Sequence, residues 1–473
     1  MLKYHKRKLL TLLGAFCIHF ITSTIHTLPS ISPYFYSYLI QFKEGTFSYT
    51  YLGVVQSLVN LFHSVFIPVG VLLTRKHNIT TVIGIGLILI IIAKAICAFF
   101  TNIIIVSVGL CICSVGCGIA YMPPIICLWY YYPKRKGLMT GIALSGFGFN
   151  RLVFKYLSLV IINPMKIGLM PSMERYPIEI NLNFKFYLEI SLVFFSILSV
   201  ISILIIHPYP KEERKCIYKL PKEGEQRCFS VSLEQHKNKS CYNNDDDDYT
   251  YISYLSTFII NIKDNKHYAS LSQLIVSFPF IQLTFIFFFA KAFGTIELSS
   301  MKKFGLMNGH DETFLAFSAM MWKITTLIFF YIWGHLVDRY GFKKVYCHLV
   351  LIQILISSTC YFISKWRIGF MIYSLTCAVI NSGNLTISPT AFAMIFDIEE
   401  GSMLSSIASI LINTFYICRP LITNLVTSRV YFLIFYIIIT LFSMLALIIL
   451  CFFVEKKYNY SPNNKRKRFE SGM

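Results

Sequence analysis

Gly334-His335-Leu336-Val337-Asp338-Arg339-Tyr340-Gly341-Phe342-Lys343-Lys344 closes one long apolar run and opens another. In the first half of the chain, Gly70-Val71-Leu72-Leu73-Thr74-Arg75-Lys76 sits at the matching place between its own apolar neighbours. Gly118 precedes Pro124 by the interval at which Gly383 precedes Pro389, each pair near the end of a further apolar run. A basic loop then leads into Gly137-Leu138-Met139-Thr140-Gly141-Ile142-Ala143, and an acidic one into Gly401-Ser402-Met403-Leu404-Ser405-Ser406-Ile407-Ala408. Four landmarks recurring in the same order about 265 positions apart mark a duplication, the signature of a membrane bundle made of two related halves. Such a bundle points to a transporter and away from an enzyme.

Composition agrees. The 473 residues are 55% hydrophobic and only 14% charged, with mean hydropathy +0.61, where a soluble chain carries about a quarter charged residues. The net charge of +20 does not read as a nucleic-acid surface, because the lysines and arginines fall mainly in short segments between apolar runs. The 14 cysteines are scattered, mostly within those runs, and read as small buried hydrophobes. No Cys/His ligand spacing, nucleophile-base set or nucleotide-binding loop is visible, so no metal and no cofactor is expected. The sequons at Asn78, Asn238 and Asn384 fall in cytosolic loops or within a span, so glycosylation is not expected. The basic, apolar N-terminus resembles a signal peptide but lacks a small-residue cleavage site, and it is read as a retained first span.

A bilayer core of about 30 Å takes roughly 20 apolar residues as helix. That rule yields twelve runs: Leu9 to Leu28, Tyr51 to Leu73, Thr81 to Phe100, Ile103 to Leu128, Leu138 to Ile162, Leu188 to Ile206, Phe278 to Leu298, Phe314 to Leu336, Val345 to Ser364, Phe370 to Phe396, Met403 to Leu425 and Val430 to Val454. The expected fold is an all-α membrane protein of two six-helix bundles, residues 1–206 and 272–457. Residues 207–271, rich in Lys, Glu, Asn and Ser with Asp245 to Asp248 in a row, have too few apolar side chains for a core and read as a disordered cytosolic linker. A basic tail, 458–473, follows the second bundle.

Lys3 to Lys8, Arg75-Lys76, Lys134-Arg135-Lys136, Arg339 with Lys343-Lys344, and Lys465 to Arg468 all fall on one side of this topology. Both termini are therefore expected in the cytosol. The plasma membrane is the expected location, with an organelle membrane as the alternative.

The Gly334 to Lys344 segment resembles the loop motif of the major facilitator superfamily, Gly-x-Leu-x-Asp-Arg-x-Gly-x-Lys-Lys. Its first-half counterpart has Thr74 where that family usually places Asp. A narrower stretch, Trp129-Tyr130-Tyr131-Tyr132-Pro133-Lys134-Arg135-Lys136-Gly137 through Gly141, Gly146 and Gly148, is similar to the loop and fifth helix of the monocarboxylate porters and oxalate/formate exchangers. The resemblance implies the major facilitator fold, with twelve spans and alternating access to one central site. Those relatives carry an arginine one turn before the glycine that opens the loop after span eight, where this chain has Phe330, and the exchangers' span-eleven lysine has no clear match.

Physics gives the pieces roles. Asp338, at a helix end beside Arg339 and between Gly334 and Gly341, can accept hydrogen bonds from a helix N-terminus in the other half, where the helix dipole favours a carboxylate. The candidate is the start of span five at Gly137, next to Arg135. On the mirrored side Arg75 and Lys76 can meet Asp397, Glu399 and Glu400 before span eleven. These latches would close the cytosolic ends. Gly141, Gly146 and Gly148 allow close helix approach, and Pro123-Pro124 and Pro389 are candidate hinges.

Ionisable groups at membrane depth are functional candidates by default. At about 1.5 Å per residue, Lys323, His19 and His63 come out near mid-bilayer. Arg151 and Lys291 lie somewhat farther outward, while Lys155, Glu297 and Arg419 approach the outer surface. Lys323, Arg151 and Lys291 are candidates to bind a carboxylate, and His19 is a candidate to couple a proton. The expected cargo is a small organic anion, monocarboxylate-like, moved with a proton or by exchange by a lipid-embedded monomer. A neutral solute or amino acid is the rival cargo; a non-transporting sensor or scaffold is the rival class.

Overall fold

The computed structural model describes residues 2–42, 49–165, 176–209, 271–415, 417–418 and 429–455. The C-terminal tail, all but the ends of the expected linker, Arg419 and the Glu297 side chain lie outside the described residues. Helices dominate what is described. The first half runs α1 (Leu2–Thr22), a short 3-10 turn (Ser23–His26), α2 (Leu28–Phe42), α3 (Tyr49–Lys76), α4 (Ile79–Phe99), α5 (Ile103–Tyr131), α6 (Lys136–Leu157) and α7 (Ile178–Ile205). The second runs α8 (Leu271–Ile275), α9 (Phe278–Met307), α10 (Glu312–Tyr340), α11 (Phe342–Ile363), α12 (Arg367–Ile395), α13 (Ile398–Ile412) and α14 (Arg429–Phe452).

Among the described residues, ten helices are long and apolar enough to cross a bilayer. They correspond to expected spans one to six, eight to ten and twelve. Span seven lies within α9, whose described apolar part, Phe278–Gly294, is shorter. Span eleven corresponds to α13, which stops at Ile412 with Asn413 as its C-cap. The protein is an integral multi-pass membrane protein, and its outer faces say the same. In α7, Ile190, Val193, Ile197, Val200 and Leu204 are exposed along one stripe, and Ile434, Ile437, Ile438, Leu441 and Leu445 do likewise in α14. Water would penalise such faces; hydrocarbon accepts them, since the helices satisfy their own backbone groups.

Local signals set the ends. Asn102 caps α5 by accepting from the Ile104 and Ile105 amides at 2.9 and 3.4 Å. Asp311 caps α10 through the Phe314 amide at 3.1 Å. Gly341, at φ +83, ends α10 and starts α11 in a backbone conformation that side chains rarely tolerate. Pro123, Pro124 and Pro389 all lie inside helices that continue past them.

Each half is tied internally by buried polar side chains reaching backbone. In the first, Trp129 Nε1 donates to the Lys136 carbonyl at 3.1 Å and to Thr140 Oγ1 at 2.8 Å, joining α5 to α6. Asn150 Nδ2 donates to the Phe20 carbonyl at 2.8 Å, joining α6 to α1. In the second, Gln353 Nε2 spans from α11 to the Ala290 carbonyl of α9 at 3.0 Å and to Ser443 Oγ of α14 at 2.8 Å. Trp333 Nε1 of α10 donates to the Val379 carbonyl of α12 at 2.8 Å, and the Tyr346 hydroxyl of α11 donates to Asn384 Oδ1 of α12 at 2.7 Å. Such bonds are hard to exchange for lipid, so they hold the helices of each half together.

Between the halves, α6 packs along α10 and α3 along α13. A Cβ at Gly137 would lie 2.6 Å from the Gly334 carbonyl oxygen, and one at Gly141 would meet the Phe330 carbonyl. Glycine is required there because two backbones touch. Gly146 turns the other way, against Phe16 of α1.

Candidate functional site

At the end bearing the basic loops, Asp338 of α10 accepts from two backbone amides of α6. Gly137 N–H reaches Oδ1 at 2.8 Å and Leu138 N–H reaches Oδ2 at 2.7 Å. Arg135, the residue before α6, supplies no side-chain cap, so the carboxylate of the opposite half does the work of one. A carboxylate suits this place because the first amides of a helix are unpaired and carry the positive end of its dipole. Arg339 turns away, its guanidinium over the Tyr340 ring at 5.3 Å. Lys343 binds the end of α14, donating to the Cys451 and Phe453 carbonyls at 2.9 and 2.8 Å, while Glu455 accepts from the Phe342 and Lys343 amides.

The mirrored contact is built differently. Thr74, standing where the second half has Asp338, spends its hydroxyl on the Val71 carbonyl of its own helix at 2.7 Å. Arg75 instead bonds Glu400 Oε2 and the Glu399 carbonyl, both at 3.2 Å. Tyr130 donates to Glu399 Oε1 at 2.9 Å, and Lys136 Nζ to the Ala393 carbonyl at 2.7 Å. One contact is a helix cap and the other an ionic cluster, and both bridge the two halves at this end.

Above them a cavity opens between the halves. The first half contributes His26, Asn60, His63, Ser64, Tyr121, Phe147 and Arg151 to its wall. The second contributes Lys291, Phe330, Asn384, Ser388, Ser405, Ser406, Ser409 and Asn413. No carboxylate lines it among the described residues, so its fixed charge is positive. A polar chain crosses its floor. Lys291 Nζ donates to Asn413 Oδ1 at 2.9 Å, Asn413 Nδ2 to Ser64 Oγ at 3.1 Å, and Ser64 Oγ to the Asn60 carbonyl at 2.9 Å.

Of the four binding or coupling candidates, Arg151 and Lys291 line this cavity, one from each half. Lys323 does not; it sits beside Arg151, donating to its carbonyl at 3.4 Å, two turns along α10 from Phe330. His19 is fully buried behind the wall, its Nδ1 on the Ala15 carbonyl at 2.9 Å and its ring against Tyr121 and Phe147, both at 5.6 Å. Asn413 and Asn60 escaped the sequence reading because only ionisable groups were searched for within spans, and His26 because it stands two residues from the end of the first expected span.

Comparison with known proteins fits this geometry. Residues 269–471 match the family model described as Major Facilitator Superfamily. A stretch of 63 residues is 36% identical to Apicoplast pyruvate carrier 1 of Toxoplasma gondii, covering 13% of this chain and 11% of that protein. A stretch of 138 residues, 29% of the chain, is 26% identical to Monocarboxylate transporter 13 of Bos taurus and covers 32% of it. The chain thus spans less than a third of the length of these relatives. Among solved structures, the major facilitator transporter FucP in its outward conformation superposes with TM-score 0.62 at 16% identity, over 95% of this chain and 100% of that one. The proton:xylose symporter XylE gives 0.61 at 13% identity, over 96% of each. At such identities the likeness is one of fold. The chain has the all-α major facilitator fold and resembles that superfamily's transporters, the monocarboxylate branch among them.

Proposed function

We propose that the protein is a secondary transporter that carries small organic anions, monocarboxylate-like, by alternating access, with a proton or by exchange. The observation that carries this reading is the cavity wall itself: Arg151 from one half and Lys291 from the other, with no carboxylate on the wall among the described residues. An anion seated between the two cations draws the halves together around it. The bound cargo thereby favours the closed intermediate from which either end can open. The relatives named for pyruvate and monocarboxylates support the same cargo class.

Asp338 and the Arg75–Glu400 cluster hold the basic-loop end shut while the other end is open. We assign that end to the cytosol by its concentration of lysine and arginine.

Purified protein in liposomes should take up labelled pyruvate or lactate saturably, faster with acid outside, and excess unlabelled monocarboxylate should suppress the signal. The uncharged wall of Asn60, Asn384, Ser405, Ser406 and Ser409 favours a second reading, a neutral polar cargo. Uptake of a sugar or amino acid with no monocarboxylate flux would replace the first reading with the second.

A further inference from the structure

His63 enters the cavity from α3, is 7% exposed, and its Nδ1 has no hydrogen-bond partner among the described residues. A buried polar atom left without a partner calls for an explanation, and in a ligand cavity the explanation is a ligand or a proton. Its ring meets His26 edge-on at 5.9 Å and Tyr121 at 5.7 Å. The titratable and charged groups around the same cavity are His26 from the turn after α1, Tyr121 from α5, Arg151 from α6 and Lys291 from α9. From α12 and α13 come only uncharged polar groups, Asn384, Ser388, Ser405, Ser406, Ser409 and Asn413. Among the described residues, every fixed charge there is positive.

We infer that His63 is the proton-carrying group of the transport cycle, protonated when an organic anion lies beside Arg151 and Lys291 and deprotonated when the anion leaves. This deepens the anion-transport reading and rests on it. A third positive charge in a cavity that already holds lysine and arginine is unfavourable until an anion arrives. By linkage the anion then raises the affinity for the proton, and the proton raises that for the anion by the same factor. Imidazole is the side chain whose charge changes near neutral pH. The proton arrives from water as a new N–H bond at the ring's free nitrogen and returns to water on the opposite side, so nothing is oxidised or reduced. His19 also carries a nitrogen without a partner, Nε2, yet Tyr121 and Phe147 separate it from the cavity. Among the described residues no group of three metal-ligating side chains is placed to hold a metal ion.

The test uses the full-length protein in liposomes loaded with a pH-sensitive dye, measuring pyruvate-driven acidification, pH-gradient-driven accumulation and pyruvate-pyruvate exchange side by side. In His63→Gln, acidification and accumulation should fall to the level seen without a gradient, while exchange persists at a tenth of the wild-type rate or more. If His63→Gln does not reconstitute, His63→Asn gives the same comparison with a shorter amide. A variant that still accumulates pyruvate against its gradient as the wild type does overturns the assignment. So does a folded variant that loses exchange and accumulation together, which would make His63 a binding group. Wild-type exchange with no response to a pH gradient sinks the proton inference and leaves the anion reading standing; no pyruvate movement in any mode sinks both.

Discussion

Asp338→Ala will open the basic-loop end of the molecule. The substitution removes both acceptors of the Gly137 and Leu138 amides, which lie at 2.8 and 2.7 Å in a half-buried junction between the halves. Hydrogen bonds to a charged group contribute about 1.5–3 kcal/mol each. Water replaces part of this once the junction parts, so about 3 kcal/mol is a reasonable loss for the pair. That shifts the ratio of latched to unlatched molecules by about a hundredfold. The Arg75–Glu400 contact will not compensate, because Arg75 is partly solvent-exposed and exposed pairs contribute little. Spin labels at Lys76 and Lys344, exposed positions on opposite halves of this end, report the change as a longer distance distribution. Uptake should drop at least tenfold, since a protein resting open to one side cycles poorly. Asp338→Asn should behave almost as badly: the amide keeps one acceptor but turns an N–H donor toward an N–H. An unchanged label distance in Asp338→Ala would remove the latch from the mechanism.

Lys291→Gln is expected to weaken the cargo site more than any other single change. Glutamine retains a donor for Asn413 Oδ1, so the polar chain to Ser64 survives while the charge goes. Losing one charge-assisted contact to a carboxylate costs about 1.5–3 kcal/mol, a roughly 10- to 150-fold rise in apparent KM. The rate at saturation should change far less, because the contact is made to bound cargo in general and not to one point of the cycle. Lys291→Arg should recover part of the affinity. A neutral cargo would leave KM for transport nearly untouched in Lys291→Gln, and that result would displace the anion reading in favour of its rival.

Much of the fold was legible in the chain because membrane helices announce themselves by length and because the duplicated landmarks fix two halves. The loop from Gly334 to Lys344 also pointed to a contact: Asp338 had to find an unpaired helix N-terminus, and it accepts from the amide of Gly137, where the absent Cβ leaves room for it. Even the asymmetry was written there, in Thr74, whose hydroxyl turns back on its own helix.

The cavity was harder to read. Depth along a helix can be counted from sequence, but the face a residue presents depends on how neighbouring helices rotate. Lys323 and His19 were placed at a suitable depth, and neither is on the cavity wall. Asn413 carried no charge and was overlooked, yet it accepts from Lys291 at the residue where the described part of α13 ends. A residue whose importance comes from partners 122 positions away in its own half and 349 positions away in the other, Lys291 and Ser64, cannot be recognised from its own surroundings in the chain.

The most direct test places a cysteine at Ser409, on the cavity wall, in protein freed of its 14 native cysteines. A membrane-impermeant maleimide should reach Ser409→Cys from the face opposite the basic loops, and pyruvate or lactate should protect it. Adding Asp338→Ala should expose the same cysteine to reagent from the basic-loop face. Equal labelling from both faces before the latch is cut, or no protection by any organic anion, would contradict a cargo chamber that opens to one side at a time.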